Sequence, residues 1–251
     1  MNGFEMHNIK HSSVSQLNLY EGNPAMWILQ YLFLVRALPS PAMFRGIVIE
    51  TAVAAVLTNQ ATIEPAIKKA LKTFDDKFSI ALDDRTEKER AVIESMIRNT
   101  VEVMQEYGEP IFSIDGEQQK VKINCVTDNF TLPIIGYLDF VYPEHGLVID
   151  LKTTNRMPST MSAAHRRQRC FYEKCMGNHE VKFLYVTSKK TKFLSEGDVA
   201  EELALMKSQL IRQEKFLKQG NKEFLRDIVP IDPNHFFWAD KKKERKEIFG
   251  I

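Results

Sequence analysis

Two carboxylates and an ammonium, Asp139, Asp150 and Lys152, stand at a spacing that brings them together on one hairpin. Residues 132–142 and 147–154 are rich in β-branched and aromatic side chains, and Pro143-Glu144-His145-Gly146 between them reads as a turn. If the turn closes tightly, Tyr142 faces Leu147, Val141 faces Val148 and Asp139 faces Asp150. Opposed residues on one face have Cβ atoms about 4.5–5.5 Å apart. Lys152 lies two residues beyond Asp150 and shares its face, while Leu138, Phe140, Ile149 and Leu151 turn to the other and form core. Two carboxylates that close repel unless a cation sits between them. All-oxygen ligands favour a hard ion such as Mg²⁺ or Mn²⁺. Lys152 beside that ion would stabilise developing negative charge or orient an attacking water. The plainer alternative is a surface hairpin in which Lys152 is salt-bridged to one aspartate.

Further chemistry-bearing residues lie on predicted helices either side of the hairpin. Glu50, upstream, has the apolar neighbours Ile49 and Val53, so its carboxylate needs a partner, and a metal would provide one. Gly46 lies one helical turn before Glu50 on the same face, where a bare backbone admits a close approach. Downstream, Gln168 and Tyr172 share a helix face, with His165 one turn earlier. An amide and a phenol there can position a water, a phosphate or the lysine. Each of these also reads as an ordinary amphipathic-helix residue when taken alone.

The first half of the chain must supply the helices. Ser12, Ser13 and Ser15 offer an N-cap, and Asn23-Pro24 opens a second helix carrying Trp27, Ile28, Tyr31, Leu32 and Val35. A third runs over 41–57, and residues 63–80 and 83–107 form a long amphipathic pair capped at Asp83 or Thr86. Residues 119–125 alternate as a half-buried strand, 160–176 reads as a helix ended by Gly177, and 181–187 reads as a buried strand that can pair with 191–194. A long helix over 197–219 follows, then an aromatic cluster, Phe236-Phe237-Trp238, assigned to the core. The fold class is α/β, a central mixed sheet flanked by helices. The domain expectation is a single one over 1–251, helical over about 1–108 with a catalytic α/β core over about 109–251.

With 251 residues and a net charge of +1, charge distribution matters more than its sum. Between Lys152 and Lys192 the basic residues outnumber Glu173 and Glu180, which suits a polyanionic substrate. Cys125, Cys170 and Cys175 lack the paired spacing of a disulfide framework or a zinc site. No secretory leader pattern and no long apolar run is present, so a cytoplasmic, non-membrane protein is expected.

The ordered set Arg45-Gly46 with Glu50, Gly136-x-x-Asp139, Asp150-x-Lys152, and Gln168 with Tyr172 resembles the PD-(D/E)XK nuclease superfamily. It looks most like the phage-type exonuclease branch that includes lambda exonuclease, exonuclease VIII and RecB-like nuclease domains. That resemblance implies a restriction-endonuclease-like core. It implies catalytic roles for Glu50, Asp139, Asp150, Lys152, Gln168 and Tyr172. It gives Glu50, Asp139, Asp150 and the Leu151 backbone carbonyl as ligands for one or two Mg²⁺ or Mn²⁺ ions. Arg45, Arg166 and Arg167 become candidates for phosphate contact. The stretch 19–27 carries no cysteine where relatives with an iron–sulfur cluster have their first, so no such cluster is expected. The implied activity is Mg²⁺-dependent hydrolysis of linear duplex DNA from its ends, 5′ to 3′, in phage-type recombination. The implied partners are DNA, a single-strand annealing protein and further copies of the chain in a ring. A structure-specific or single-strand nuclease of replication and repair is one alternative. A non-catalytic DNA-binding clamp on the same fold is another.

Overall fold

A computed structural model of the chain describes residues 1–35, 39–79, 84–114, 117–235, 238 and 241–251. In chain order the elements are α1 (Gly3–Met6), β1 (Ser12–Ser13), α2 (Val14–Gly22), α3 (Pro24–Tyr31), α4 (Pro41–Leu57), α5 (Ile63–Phe78), α6 (Asp84–Ala91) and α7 (Ile93–Met104). There follow β2 (Ser113–Ile114), β3 (Glu117–Gln118), β4 (Lys120–Val126), β5 (Thr131–Tyr137), β6 (Phe140–Tyr142), β7 (Leu147–Thr153), α8 (Ala163–Met176), β8 (Glu180–Val186), β9 (Thr191–Leu194), α9 (Val199–Leu217), α10 (Lys222–Ile228) and α11 (Lys242–Phe249). The expected mixed α/β architecture is present. The chain forms two compact units, one from Met1–Leu38, Lys122–Gly136 and Asp198–Ile251, the other from Pro39–Val121 and Tyr137–Gly197.

The second unit is built on a sheet of order β6-β7-β8-β9. β6 and β7 are antiparallel, with Tyr142 opposite Leu147, Val141 opposite Val148 and Phe140 opposite Ile149, the expected hairpin register. The turn is a single 3₁₀ turn, Pro143–His145, closed by Gly146 at φ 55°, a left-handed conformation that suits glycine. β8 lies parallel to β7, with α8 as the crossover, and β9 returns antiparallel to β8. The burial run of β7, unbroken from Leu147 to Leu151, marks a strand covered on both faces.

Helices α4 and α7 cover one face of this sheet, and α5 packs on those two helices. Ser40 caps α4 by accepting from the Met43 amide at 3.3 Å, and Pro41 sits in its first turn. α5 buries Ala66, Ile67, Ala70 and Phe74, and α7 buries Ile93, Met96, Ile97, Thr100, Val101 and Met104, the spacing of a helix with one core-facing stripe. Ile49, Val53, Phe74, Ile97, Phe140, Ile149, Leu151 and Leu184 share the resulting core.

In the first unit, a sheet of order β1-β5-β4 pairs β1 parallel to β5 through Ser12–Ile134 and Ser13–Ile135. Ser13 also caps α2, accepting from the Gln16 amide at 3.2 Å, and Asn23 caps α3 by accepting from Met26 at 2.9 Å. Phe4 meets Phe130 edge-on, α1 packs on α9, and Trp238 is buried against Phe249. Phe236 and Phe237 lie outside the described residues, as do Ile80 and Asp83.

Three sequence expectations change. Residues 132–142 are not one strand: the ladder breaks at Leu138 and Asp139, because the Asp139 carboxylate takes the Leu151 amide as its donor at 2.9 Å. The helix expected over 83–107 is two helices interrupted at Val92 (φ −99°, ψ −4°), with a 3₁₀ turn at Gln105–Tyr107. α3 ends at Tyr31, so Leu32 is its cap and Val35 lies beyond it. Among the described residues no helix is long and apolar enough to cross a membrane.

Candidate active site

Asp150 and Lys152 project from the same face of β7, and their register partners on β8 are Phe183 and Tyr185. The Asp150 side chain is 2% exposed and forms an ion pair with the Lys152 ammonium. Among the described residues, the buried Asp150 Oδ1 has no hydrogen-bond partner beyond that ion pair. The ammonium also stands 4.8 Å from the Phe183 ring centroid, a cation–π contact. Burial works against the Lys152 charge, but Asp150, Asp139 and Glu50 together outweigh it and raise its pKa, so Lys152 is an ammonium.

Asp139 sits at the strand break just before β6. Its Oδ2 accepts from the Leu151 amide at 2.9 Å, which places its carboxylate beside the middle of β7. Burial, then Asp150 and Glu50, push its pKa well above the usual carboxylate range. Glu50 arrives from α4. Burial first, then Asp150, lift its pKa to about 7, while Lys152 and a hydrogen bond from Gln118 oppose the rise. Gln118 Nε2 donates to Glu50 Oε1 at 2.8 Å and reaches Asp139 Oδ1 at 3.5 Å. The structure therefore brings Glu50, Asp139, Asp150 and Lys152 into one electrostatically linked group.

The charges in this group do not balance. Three carboxylates face one ammonium, leaving a deficit of two positive charges when all are ionised. The donors are hard oxygens, which suit a divalent ion of the Mg²⁺ or Mn²⁺ type. Among the described residues no three His, Cys, Asp or Glu side chains already converge as a ready cage. Gln118 instead donates to Glu50 and reaches towards Asp139, and Lys152 pairs with Asp150.

α8 supplies the supporting residues. Ser162 caps it, accepting from the His165 amide at 3.2 Å. Gln168 Nε2 donates to the Tyr172 hydroxyl at 2.9 Å, and that hydroxyl donates to the Tyr137 carbonyl at 2.6 Å. This chain ties α8 to the backbone two residues before Asp139. Burial, then Asp150, raise the Tyr172 pKa, which keeps its proton available for the carbonyl. His165 Nδ1 and the Tyr185 hydroxyl are 2.6 Å apart. Burial, then Lys152, hold the His165 pKa down to about 4, so its ring is neutral near pH 7.

The arginines are placed differently from one another. Arg45, 3% exposed, forms an ion pair with Glu89 of α6 and donates to Asn155 Oδ1 at 2.9 Å and the Thr153 carbonyl at 3.2 Å. Asn155 Nδ2 completes the group by donating to Glu89 Oε1 at 3.0 Å. The two terminal nitrogens of Arg45 thus form a clamp between α4, α6 and the end of β7, while its buried Nε has no hydrogen-bond partner among the described residues. A Cβ at Gly46 would lie 3.4 Å from Thr153 Oγ1, so the close approach inferred for this glycine is to the end of β7. Arg166 is partly exposed and donates to the Met161 carbonyl at 3.0 Å, whereas Arg167 is buried.

An open cleft of about 780 Å³ runs alongside, lined by Glu50, Lys152, Thr154, Arg156, His165 and Tyr185 among others. Sequence reasoning missed Gln118, Glu89, Asn155 and Tyr185. Gln118 stands in the polar run Glu117-Gln118-Gln119-Lys120, where nothing distinguishes it. The signal available for Tyr185 was its place on the buried strand next to β7.

The family model of the PD-(D/E)XK nuclease superfamily matches residues 11–236. No curated protein gives a significant match. The crystal structure of SSO0001 is 13% identical, over 61% of this chain and 88% of that one, with a TM-score of 0.35.

Proposed function

Because the chain belongs to the PD-(D/E)XK nuclease superfamily, we propose that it is a divalent-metal-dependent deoxyribonuclease that degrades linear duplex DNA from its ends, as a single nuclease domain. The observation that carries this reading is the group formed by Glu50, Asp139, Asp150 and Lys152 beside an open cleft. Glu50, Asp139, Asp150 and the Leu151 carbonyl would hold one or two divalent ions. A bound ion there supplies Lewis-acid polarisation of the scissile phosphate and eases deprotonation of a water.

The chain's own residues do the rest. Lys152, held protonated by three carboxylates, places a positive charge where negative charge develops on the phosphoryl oxygens, and orients the attacking water. Burial of Asp150, with Asp139 half-buried beside it, lowers the local dielectric, which strengthens that interaction. The Gln168–Tyr172–Tyr137 chain fixes the strand break that carries Asp139. Neutral His165, held by Tyr185 on the cleft wall, offers the substrate a polar surface without adding a positive charge beside the cation. Arg166 and Arg156 provide positive charge beside the cleft for DNA phosphates. Arg45 positions α4, and with it Glu50, through its clamp on Glu89.

The 5′ to 3′ polarity, a ring of several copies around DNA and cooperation with an annealing protein follow from the resemblance to phage-type exonucleases. The test is digestion of a linear duplex labelled at either end, beside a closed circle, in Mg²⁺. Mononucleotide release from linear duplex with the circle intact is expected. Equal cutting of the circle would overturn the exonuclease reading in favour of an endonuclease of the same class.

A further inference from the structure

Gln118 belongs to none of the motifs that mark this superfamily in the chain, yet its amide reaches two of the three site carboxylates. Its Nε2 donates to Glu50 Oε1 at 2.8 Å and stands 3.5 Å from Asp139 Oδ1. Both neighbours are acceptors, so the NH₂ end of the amide must face them. The backbone fixes this placement from both sides. Gln118 pairs with Ser113 across β2 and β3. The next carbonyl, Gln119 O, accepts from the Leu138 amide at 3.0 Å, immediately before Asp139. Further back, Ile111 and Val141 exchange two backbone hydrogen bonds of 2.8 and 3.0 Å. Ile111 and Gln119 are therefore stitched to the strand break at 138–141, and the Gln118 side chain crosses from beside it to α4.

Glu50 and Asp139 come from separate elements, a helix and a strand break, and each repels the other. Asp139 has the Leu151 amide to orient one of its oxygens. Among the described residues, Gln118 is the hydrogen-bond donor that orients Glu50 and the group that links it to Asp139. A neutral amide suits this role. A lysine or arginine at the same place would form an ion pair and compete with a cation, and a carboxylate would add to the repulsion.

We propose that Gln118 is a positioning residue that bridges Glu50 and Asp139 and holds their carboxylates ready for the divalent cation. This rests on the metal-dependent reading given above. Groups that orient metal ligands typically contribute 10–100-fold to affinity or activity.

The experiment is Mn²⁺ binding to the full chain, without DNA, followed by electron paramagnetic resonance titration in the native protein, Gln118→Met, Gln118→Asn and Asp150→Ala. Methionine keeps the length and removes the donor, and asparagine keeps the amide but falls short of Glu50. Both variants should bind Mn²⁺ about tenfold or more weakly. In digestion of linear duplex, Gln118→Met should keep the native KM for DNA, and raising Mn²⁺ should restore its kcat, which a folding defect would not allow. Should Gln118→Met fail to fold by circular dichroism, Gln118→Asn decides. Native protein that binds no Mn²⁺ would defeat the metal reading itself. Native binding matched by undiminished binding in the Gln118 variants would overturn the bridging role alone.

Discussion

Replacing Glu50 with glutamine should stabilise the metal-free protein at alkaline pH and leave it unchanged in acid. The perturbation is small in shape. A glutamine carbonyl can still accept from Gln118 Nε2, now 2.8 Å from Glu50 Oε1. What it removes is a charge that burial and Asp150 disfavour. Those causes raise the Glu50 pKa from 4.5 to about 7, a difference of ~3 kcal/mol between protonation states. The folded state thus holds this proton more tightly than the unfolded chain. The stability it confers is complete below pH 4.5 and is lost as pH rises through 7. A neutral glutamine has no such loss. Allowing for partial solvent access, E50Q should gain ~1–3 kcal/mol over the native protein at pH 8, or roughly 2–10 °C in Tm for a chain of this size. Thermal unfolding in EDTA at pH 5 and pH 8 measures this directly. Adding Mg²⁺ at pH 8 should stabilise the native protein and fail to stabilise E50Q comparably. An E50Q effect of equal size at both pH values would refute the reasoning, because the charge would then not be the source of the cost.

Three further outcomes follow from the same geometry. Lys152→Ala should lower the rate of duplex digestion on the order of 10²-fold or more while Mn²⁺ binding persists, since the ammonium acts on the phosphate and not as a ligand; single-turnover kinetics beside a Mn²⁺ titration separates the two. Glu89→Ala leaves the buried Arg45 guanidinium without its carboxylate, and should destabilise by ~3–5 kcal/mol in denaturant unfolding. Tyr172→Phe removes the donor to the Tyr137 carbonyl and the acceptor for Gln168, and should reduce stability by ~1–3 kcal/mol by the same method, with the native Mg²⁺ dependence of activity retained.

Much of the site's floor was legible in the sequence because it is local. The period of two residues and a short turn set the β6–β7 register, and α4 runs from Pro41 to Leu57 as expected. α8 ended at Gly177 as expected, where φ is 64°. The contacts that were not legible are those that depend on distant pairing. β1 is two residues long and finds β5 more than a hundred residues away, with no pattern to announce it. The strand break at Asp139 arises because a side chain captures the Leu151 amide, and apolar periodicity does not report that. The ion pair of Arg45 with Glu89 was not legible either, because Glu89 lies in a hydrophilic helix where nothing marks it for burial. Gln118 carries no sequence signal apart from its neighbours in space.

Asp150 and its neighbouring carboxylates are proposed above as a metal-dependent centre for phosphodiester hydrolysis. Digestion of end-labelled linear duplex by native protein and by Asp150→Asn, each with Mg²⁺ and with EDTA, tests it most directly. Asparagine keeps the shape and removes the charge that faces Lys152. Cleavage by native protein in Mg²⁺, and none above background in the other three reactions, is the expected result. Cleavage by Asp150→Asn at the native rate, or by native protein in EDTA, would contradict it.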